Sequence, residues 1–370
     1  MRKPYWDNLL WGTVVMVVFY HVIYLFNGVV EAGVVGPFRE TQAQDAILYV
    51  LYPWFMLLLF VVSGASARLA LEKVSGRAFF RARTVKLLVP STVGLLVFHW
   101  IQGLVSMRMS GAFETMPDAL PLPMLYLIAA LSGTGVLWYI QMLWLFSGLL
   151  LLIRKVEKGR LLALGKKTNV WILTLMGVAV WGAAQILNTP VIAVYRFGIY
   201  GLGFFLGYFV FSHEAVTDRL AKAAPLFFLP AAALMVANVA LYFGQNYAVS
   251  PVVNSPLSIA YAWLTCLALI GSMKRWGNRT GPFCDFMRRK SWGLYVFHYL
   301  PMSVCGLLLT EYTSLPPVLI YGITAVAAFG GALALYELLS RIPVLRWCVL
   351  GIRKGESHVS GEPDPTAKVA

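Results

Sequence analysis

A histidine stands in the middle of the apolar run VVMVVFYHVIYLFNGVV, which covers residues 14–30. His21 follows Leu10 by eleven residues, about 16 Å along a helix, which is close to the middle of a bilayer. At about 100° per residue, Asp7, Leu10 and His21 share one stripe of that helix. An ionisable group at this depth indicates a functional site, and the alternative is a hydrogen bond that joins two helices.

A second polar group occurs near the end of the chain, in SWGLYVFH. Ser291, Tyr295 and His298 are spaced i, i+4, i+7 and therefore share one helical face. A hydroxyl, a phenol and an imidazole together are suited to line a polar pocket, and a purely structural role is an equally open alternative.

Two basic residues, Arg83 and Lys86, are i, i+3 neighbours in RTVKLLVP. Two cations on one helical face can clamp a phosphate, which predicts an anion site. The alternative is that both only anchor the helix at the cytoplasmic boundary.

Three further polar residues in apolar surroundings stand alone. His99 and Arg196 each lie in an apolar run; Arg196 could meet an acceptor or a lipid headgroup, and we expect its long side chain to reach the outer interface. We expect Glu337 at the cytoplasmic boundary, where it could pair with a basic loop, and attach no chemistry to it.

Composition and hydropathy predict the elements that position these residues. The chain is 59% hydrophobic and 12% charged, against about 25% charged residues in soluble domains. We therefore predict an all-α, polytopic membrane bundle whose transmembrane domain covers residues 1–340. A cytoplasmic tail, 341–370, follows, and we expect its last part to be disordered. A minimum of about 20 mostly apolar residues per span predicts ten spans: 9–30, 46–67, 87–107, 134–153, 169–187, 190–212, 224–243, 252–273, 291–310 and 316–339.

The net charge of +14 agrees with this count. With ten spans, only Arg39, Arg108 and Arg196 of the 30 lysines and arginines fall on or toward the far side of the membrane. The positive-inside rule then predicts a cell-membrane protein with both termini in the cytoplasm, and the charge is not expected to bind nucleic acid. The four cysteines form no CxxC pair, so neither a disulfide framework nor a metal site is predicted.

Several short motifs, in order, resemble the integral-membrane acyltransferase family 3. The similarity runs over about residues 5–340 and includes a ten-helix core. Leu10 and Lys86 stand where that family usually has arginine; lysine keeps the charge without the bidentate geometry, and leucine keeps neither. The motifs are DNLLWGTVVMVVFYH, FVVSG, RTVKLLVP, LWYIQMLW, LGYFVF and SWGLYVFH.

The resemblance implies an O-acyltransferase that uses acyl-CoA, with acetyl-CoA or succinyl-CoA as the expected donor and no metal. The expected acceptor is a carbohydrate, glycan or glycolipid on the far side of the membrane. His21, on the stripe that it shares with Asp7, is then the general base, since imidazole has a pKa of about 6.5. An acyl-histidine intermediate is equally open. Arg83 and Lys86 would hold the coenzyme phosphates.

Two other functional classes stay open on the residues alone. One is a secondary transporter of a small anionic or polar solute, although we find no paired Gly/Pro-interrupted spans of the kind many transporters have. The other is a non-catalytic membrane scaffold, which would tolerate loss of His21. The sequence predicts contact with membrane lipid and leaves open whether the chain forms a homo-oligomer.

Overall fold

The computed structural model describes residues 3–30, 40–117, 120–189 and 194–353. These residues are mostly helical, and their only strand-like feature is an isolated bridge between Asn188 and Arg196. The all-α prediction is therefore confirmed. The α-helices are, in chain order, α1 (Pro4–Tyr24), α2 (Ala46–Leu71), α3 (Gly76–Arg83), α4 (Trp100–Met109), α5 (Ala112–Thr115), α6 (Leu122–Ser132), α7 (Trp138–Glu157), α8 (Arg160–Lys166), α9 (Val170–Ala184), α10 (Phe197–Leu206), α11 (Glu214–Tyr242), α12 (Pro256–Trp276), α13 (Pro282–Phe297), α14 (Tyr299–Tyr312), α15 (Pro317–Val326), α16 (Ala332–Arg341) and α17 (Pro343–Leu350).

Wider, π-helical turns interrupt the helical course in the described chain. Such turns are rare in proteins, and those that occur are often found at functional sites. One of them begins directly after Arg83 and contains Lys86. The π-helical segments are Thr84–Leu88, Leu95–His99, Gly207–Phe211 and Ala327–Gly331.

Six helical stretches of the described residues are long and apolar enough to cross a membrane, and α13 with α14 makes a seventh if the bent pair is one span. The protein is therefore a helical membrane bundle. The predicted spans 87–107, 169–187 and 190–212 coincide with interrupted or shorter helices, so the count of ten stays a prediction. The six stretches are Pro4–Tyr24, Ala43–Leu71, Gly135–Glu157, Glu214–Tyr242, Pro256–Trp276 and Pro317–Arg341.

The chain divides into two compact units. The first unit comprises the described residues of 1–16, 46–80 and 145–285, and the second unit those of 17–45, 81–144 and 286–370. Within the predicted tail, Pro343–Leu350 forms α17. Residues 354–370, for which disorder was expected, lie outside the described residues.

In the first unit, α2 is buried along most of its length, and α10 packs closely against it. A Cβ atom at Gly64 would lie 1.9 Å from the carbonyl oxygen of Phe204, and one at Gly207 would lie 2.0 Å from that of Val61. Glycine at both positions lets the two backbones come into contact. Such close van der Waals packing is a main source of helix association in a membrane, where lipid removes the hydrophobic driving force.

In the second unit, the polypeptide bends by 54° between α13 and α14, and His298 is the residue at the break. Pro301 has no N–H to donate to the carbonyl of Phe297 one turn earlier, so the helix cannot continue straight. A Cβ atom at Gly331 would lie 2.4 Å from the Cβ of Pro301, so glycine there admits the kink. The break therefore follows from local sequence and presents a histidine in the middle of a span.

Candidate active site

Two histidines from opposite ends of the chain meet in the second unit. His21 lies in the last turn of α1, and His298 lies at the break between α13 and α14. Nε2 of His298 is 3.1 Å from Nδ1 of His21, and the ring centroids are 5.1 Å apart. The sequence predicted each histidine separately, and the structure brings them together.

The hydrogen bonds of His298 define which of its nitrogens carries hydrogen. Nδ1 is 3.0 Å from the carbonyl oxygen of Leu294 and 2.9 Å from that of Tyr295. Carbonyl oxygens only accept, so Nδ1 of His298 is the donor. In the neutral ring, Nε2 then has the lone pair, and it points toward His21.

The same reasoning assigns the tautomer of His21. Its Nδ1 is 2.9 Å from the carbonyl oxygen of Val17 as well as 3.1 Å from Nε2 of His298. Both neighbours are acceptors, so Nδ1 of His21 carries the hydrogen. In the described part of the chain both hydrogen-bond contacts of His21 use Nδ1. The lone pair of Nε2 is consequently the basic site of this ring.

Aromatic rings surround His21 edge-on. The centroids of Tyr20, Tyr24 and Tyr299 lie 5.1, 6.3 and 5.3 Å from that of the imidazole, at interplanar angles between 77° and 90°. This packing limits rotation of the imidazole about its side-chain bonds and so keeps the direction of Nε2 constant.

The other two members of the predicted polar face bind backbone carbonyls. The hydroxyl of Ser291 is 3.4 Å from the carbonyl oxygen of Arg288, and the phenol of Tyr295 donates to the carbonyl of Val136. Both side chains are buried. The Ser291 hydrogen bond therefore stays within α13, Tyr295 ties α13 to the segment at Val136, and His298 is the member of that face that reaches His21.

The two predicted phosphate-binding residues lie near different aromatic side chains. Nζ of Lys86 lies 4.4 Å from the ring centroid of Trp292, within the range of a cation–π interaction. Arg83 lies near Tyr139. The π-helical turn after Arg83 changes the angular spacing of the two cations from that of an α-helix. Both side chains are partly buried in the second unit.

The remaining polar predictions have varied outcomes. Asp7 lies in the first turn of α1, where a carboxylate stabilises the helix N terminus, and it belongs to the first unit; its catalytic role stays a prediction. Glu337 pairs with Lys290, which the structure places in α13 rather than in a loop. The expectation that Arg196 reaches the outer interface is wrong: its guanidinium is buried and donates to Asn254 Oδ1 at 2.7 Å, so the alternative of an acceptor is the one observed.

Sequence reasoning missed Trp292, Tyr299 and Gln102 and gave His99 no role. Trp292 holds Lys86, and Tyr299 contacts His21. The i, i+3 spacing of His99 and Gln102 in an apolar helix is a signal from which a shared polar face could have been predicted. Among the described residues, no group of three or more His, Cys, Asp or Glu side chains is placed to hold a metal ion.

Comparison with known families decides the class of reaction. A family model described as an acyltransferase domain, that of acyltransferase family 3, matches residues 4–337. The chain belongs to this family. It is an acyltransferase, and the resemblance read from the short motifs is confirmed. The match includes His21, His298, Arg83 and Lys86. Searches of curated proteins and of solved structures find no match to the chain.

Proposed function

We propose that the protein transfers an acyl group from cytosolic acyl-CoA to a hydroxyl group of a sugar, glycan or lipid-linked acceptor on the far side of the membrane. The observation that carries this proposal is the 3.1 Å contact between Nε2 of His298 and Nδ1 of His21. It leaves Nε2 of His21 as a basic nitrogen, which a hydroxyl nucleophile requires. Family membership favours this function over a transporter or a scaffold.

In the proposed reaction, Nε2 of His21 takes the proton of the acceptor hydroxyl while the oxygen attacks the thioester carbonyl carbon. The carbon–sulfur bond then breaks, and the His21 imidazolium returns the proton to the departing sulfur. The products are the ester and free coenzyme A. A route through an acyl-histidine would use the same lone pair as the nucleophile, so both routes depend on the same tautomer.

His298 is proposed as the residue that positions this base. When His21 gains a proton, its Nδ1–H becomes part of a cation and donates to the lone pair of His298 Nε2. A hydrogen bond to a charged group contributes about 1.5–3 kcal/mol. A neutral imidazole would thus do here what a carboxylate does for the histidine of serine hydrolases: hold the tautomer and stabilise the imidazolium.

A row of aromatic rings supports a donor route from the basic residues to the histidine pair. The ring of Trp292, beneath Lys86, lies 6.2 Å from that of Tyr295, which lies 6.4 Å from that of His298. The coenzyme phosphates are too polar for lipid, so they would stay beside Arg83 and Lys86. The apolar arm that carries acetyl or succinyl would follow the aromatic rings inward.

The proposed direction of transfer requires both termini to be cytoplasmic in the cell membrane. A cysteine introduced at Lys158 should react with a membrane-impermeant maleimide in inside-out vesicles and stay unmodified in intact cells. Labelling of intact cells would show that the orientation is the opposite one. Arg83 and Lys86 would then lie on the wrong side of the membrane for a cytosolic donor.

The direct test uses purified protein in lipid nanodiscs with radiolabelled acetyl-CoA or succinyl-CoA and a panel of sugar acceptors. We expect labelled ester from the wild type and a loss of about 10²–10⁴-fold in His21→Gln, the usual contribution of a general base. His213→Gln, the same change at a histidine of the first unit, is the matched control and should keep normal turnover. Near-normal transfer by a well-folded His21→Gln variant would show that His21 only makes a structural hydrogen bond, since glutamine cannot take the proton.

A further inference from the structure

The second unit contains a cavity beside the break at His298. Its volume is about 10 Å³, which is room for one water-sized group such as a single hydroxyl, and it is partly open to the outside. His99 and Gln102 line it, together with the turn Gly133–Leu137 and the residues Val296, Phe297, Tyr299 and Leu300.

Two buried polar atoms in this cavity have no hydrogen-bond partner among the described residues: Nε2 of His99 and Oε1 of Gln102. The side chains are 4% and 3% exposed. The other end of the Gln102 amide donates to the hydroxyl of Ser106 at 3.1 Å, which holds the amide in place. Buried polar groups in folded proteins are nearly always paired, so two orphans lining one cavity call for a ligand.

The chemistry of the two atoms selects that ligand. A glutamine carbonyl oxygen only accepts, so the ligand must donate, whereas Nε2 of His99 either donates or accepts. A hydroxyl group satisfies both atoms. An acyl chain or thioester has no donor, and an ammonium group would be a buried charge among lining residues that include no carboxylate.

We propose that this cavity is the acceptor subsite, in which His99 and Gln102 bind hydroxyl groups of a carbohydrate. The inference rests on the proposed O-acyl transfer and specifies where its second substrate lies.

The cavity borders the histidine pair. Its lining includes residues on both sides of His298, namely Val296 and Phe297 before it and Tyr299 and Leu300 after it. Tyr299 belongs to both places, because its ring is 5.3 Å from that of His21. A hydroxyl group bound in the cavity would therefore lie near the histidine pair.

Two glycines shape the wall of the cavity. A Cβ atom at Gly133 would lie 2.0 Å from the carbonyl oxygen of His99, so a side chain there would displace that residue. Gly135 has φ +39°, a backbone conformation that side-chain-bearing residues rarely adopt. The turn between α6 and α7 thus depends on glycine where it borders the cavity.

Histidine nitrogen-15 NMR in nanodiscs free of sugar detergent and glycerol buffer tests the subsite without turnover. The chain has five histidines, and His99→Phe assigns the resonance of His99. Methyl α-D-glucopyranoside, or glycerol as a smaller probe, should shift His99 Nε2 in the absence of acyl-CoA. Gln102→Leu should raise the Kd for the probe at least tenfold.

Ser258→Ala, in a cavity of the first unit, is the control and should leave the probe affinity unchanged. If Gln102→Leu fails to fold, His99→Phe should raise the acceptor KM at least tenfold in the transfer assay with the KM for acetyl-CoA unchanged. No shift of His99 with either probe, the result expected of a cavity that holds only water, would overturn the inference while acyl transfer by the wild type persists. Shifts without any transfer would instead overturn the proposed reaction and leave the subsite standing.

Discussion

Each of the two compact units encloses a small cavity lined by polar side chains, and the hydrogen bonding of the two cavities differs. In the first unit, Asn238 donates to the carbonyl of Tyr49 at 3.1 Å and accepts from the hydroxyl of Ser258 at 2.8 Å. The phenol of Tyr49 donates to the carbonyl of Gln245 at 2.6 Å. In the second unit, Nε2 of His99 and Oε1 of Gln102 have no hydrogen-bond partner in the described part of the chain.

The size of the cavities does not explain this difference. Each cavity has a volume of about 10 Å³. A fully satisfied polar network holds helices in one arrangement, whereas unsatisfied groups cost stability unless a ligand pairs with them. This difference is the basis of our proposal that the polar groups of the second-unit cavity bind substrate, whereas those of the first-unit cavity are paired within the protein.

After the loss of His21 itself, the largest effect on kcat is expected from substitution of His298 in the second unit. His298→Phe keeps a ring but removes one of the two acceptors for His21 Nδ1, so we expect kcat to fall about 10-fold to 150-fold, equivalent to 1.5–3 kcal/mol. Nitrogen-15 NMR should show a changed chemical shift of His21 Nδ1, whose remaining acceptor is the carbonyl of Val17.

His298→Gln supplies an oxygen acceptor near the former Nε2 and should recover part of the lost kcat. Equal losses in the Phe and Gln variants, with the nitrogen-15 shift of His21 Nδ1 unchanged, would make His298 a packing residue and remove the chemical distinction between the units.

A second test concerns the donor end of the second unit. Arg83→Gln and Lys86→Gln should each weaken acyl-CoA binding by about 1.5–3 kcal/mol, because each removes a charged partner of a phosphate. Isothermal titration with acetyl-CoA in nanodiscs measures the effect.

Arg160→Gln is the matched control for these charge changes, since it removes a cation from the start of α8 in the first unit and should leave donor affinity unaltered. Unchanged acetyl-CoA affinity in both Arg83→Gln and Lys86→Gln would show that the two residues do not bind the donor and only anchor the helix at the cytoplasmic boundary.

The smallest effect on activity is expected in the first-unit cavity. Asn238→Leu removes a donor and an acceptor and leaves the carbonyl of Tyr49 and the hydroxyl of Ser258 without this partner. We expect the free energy of unfolding to fall by about 1–3 kcal/mol, measured as a lower thermal midpoint. Turnover per folded molecule should be unchanged. A selective loss of kcat with full stability would give the first-unit cavity a chemical role and break the comparison.

Much of the candidate site was predictable because its signals are local. A histidine in an apolar run costs free energy wherever the helix packs, so His21 and His298 were visible one at a time. Proline three residues after His298 predicts a break by its own chemistry. Serine and tyrosine hydroxyls, in contrast, can bond to a nearby backbone carbonyl. For this reason the shared face of Ser291, Tyr295 and His298 does not form a single polar lining, as its spacing had suggested.

The sequence by itself determined the helical membrane class, the family and the identity of the two histidines, because hydropathy and motif order are properties of the chain. Only the tertiary structure decided that His298 lies 3.1 Å from His21, 277 residues away, and that both lone pairs are oriented by carbonyl oxygens. It also decided that Arg196 is buried with protein acceptors and that His99 and Gln102 share a cavity. Helical periodicity specifies which face of a helix a residue occupies, and only packing specifies which helix that face meets.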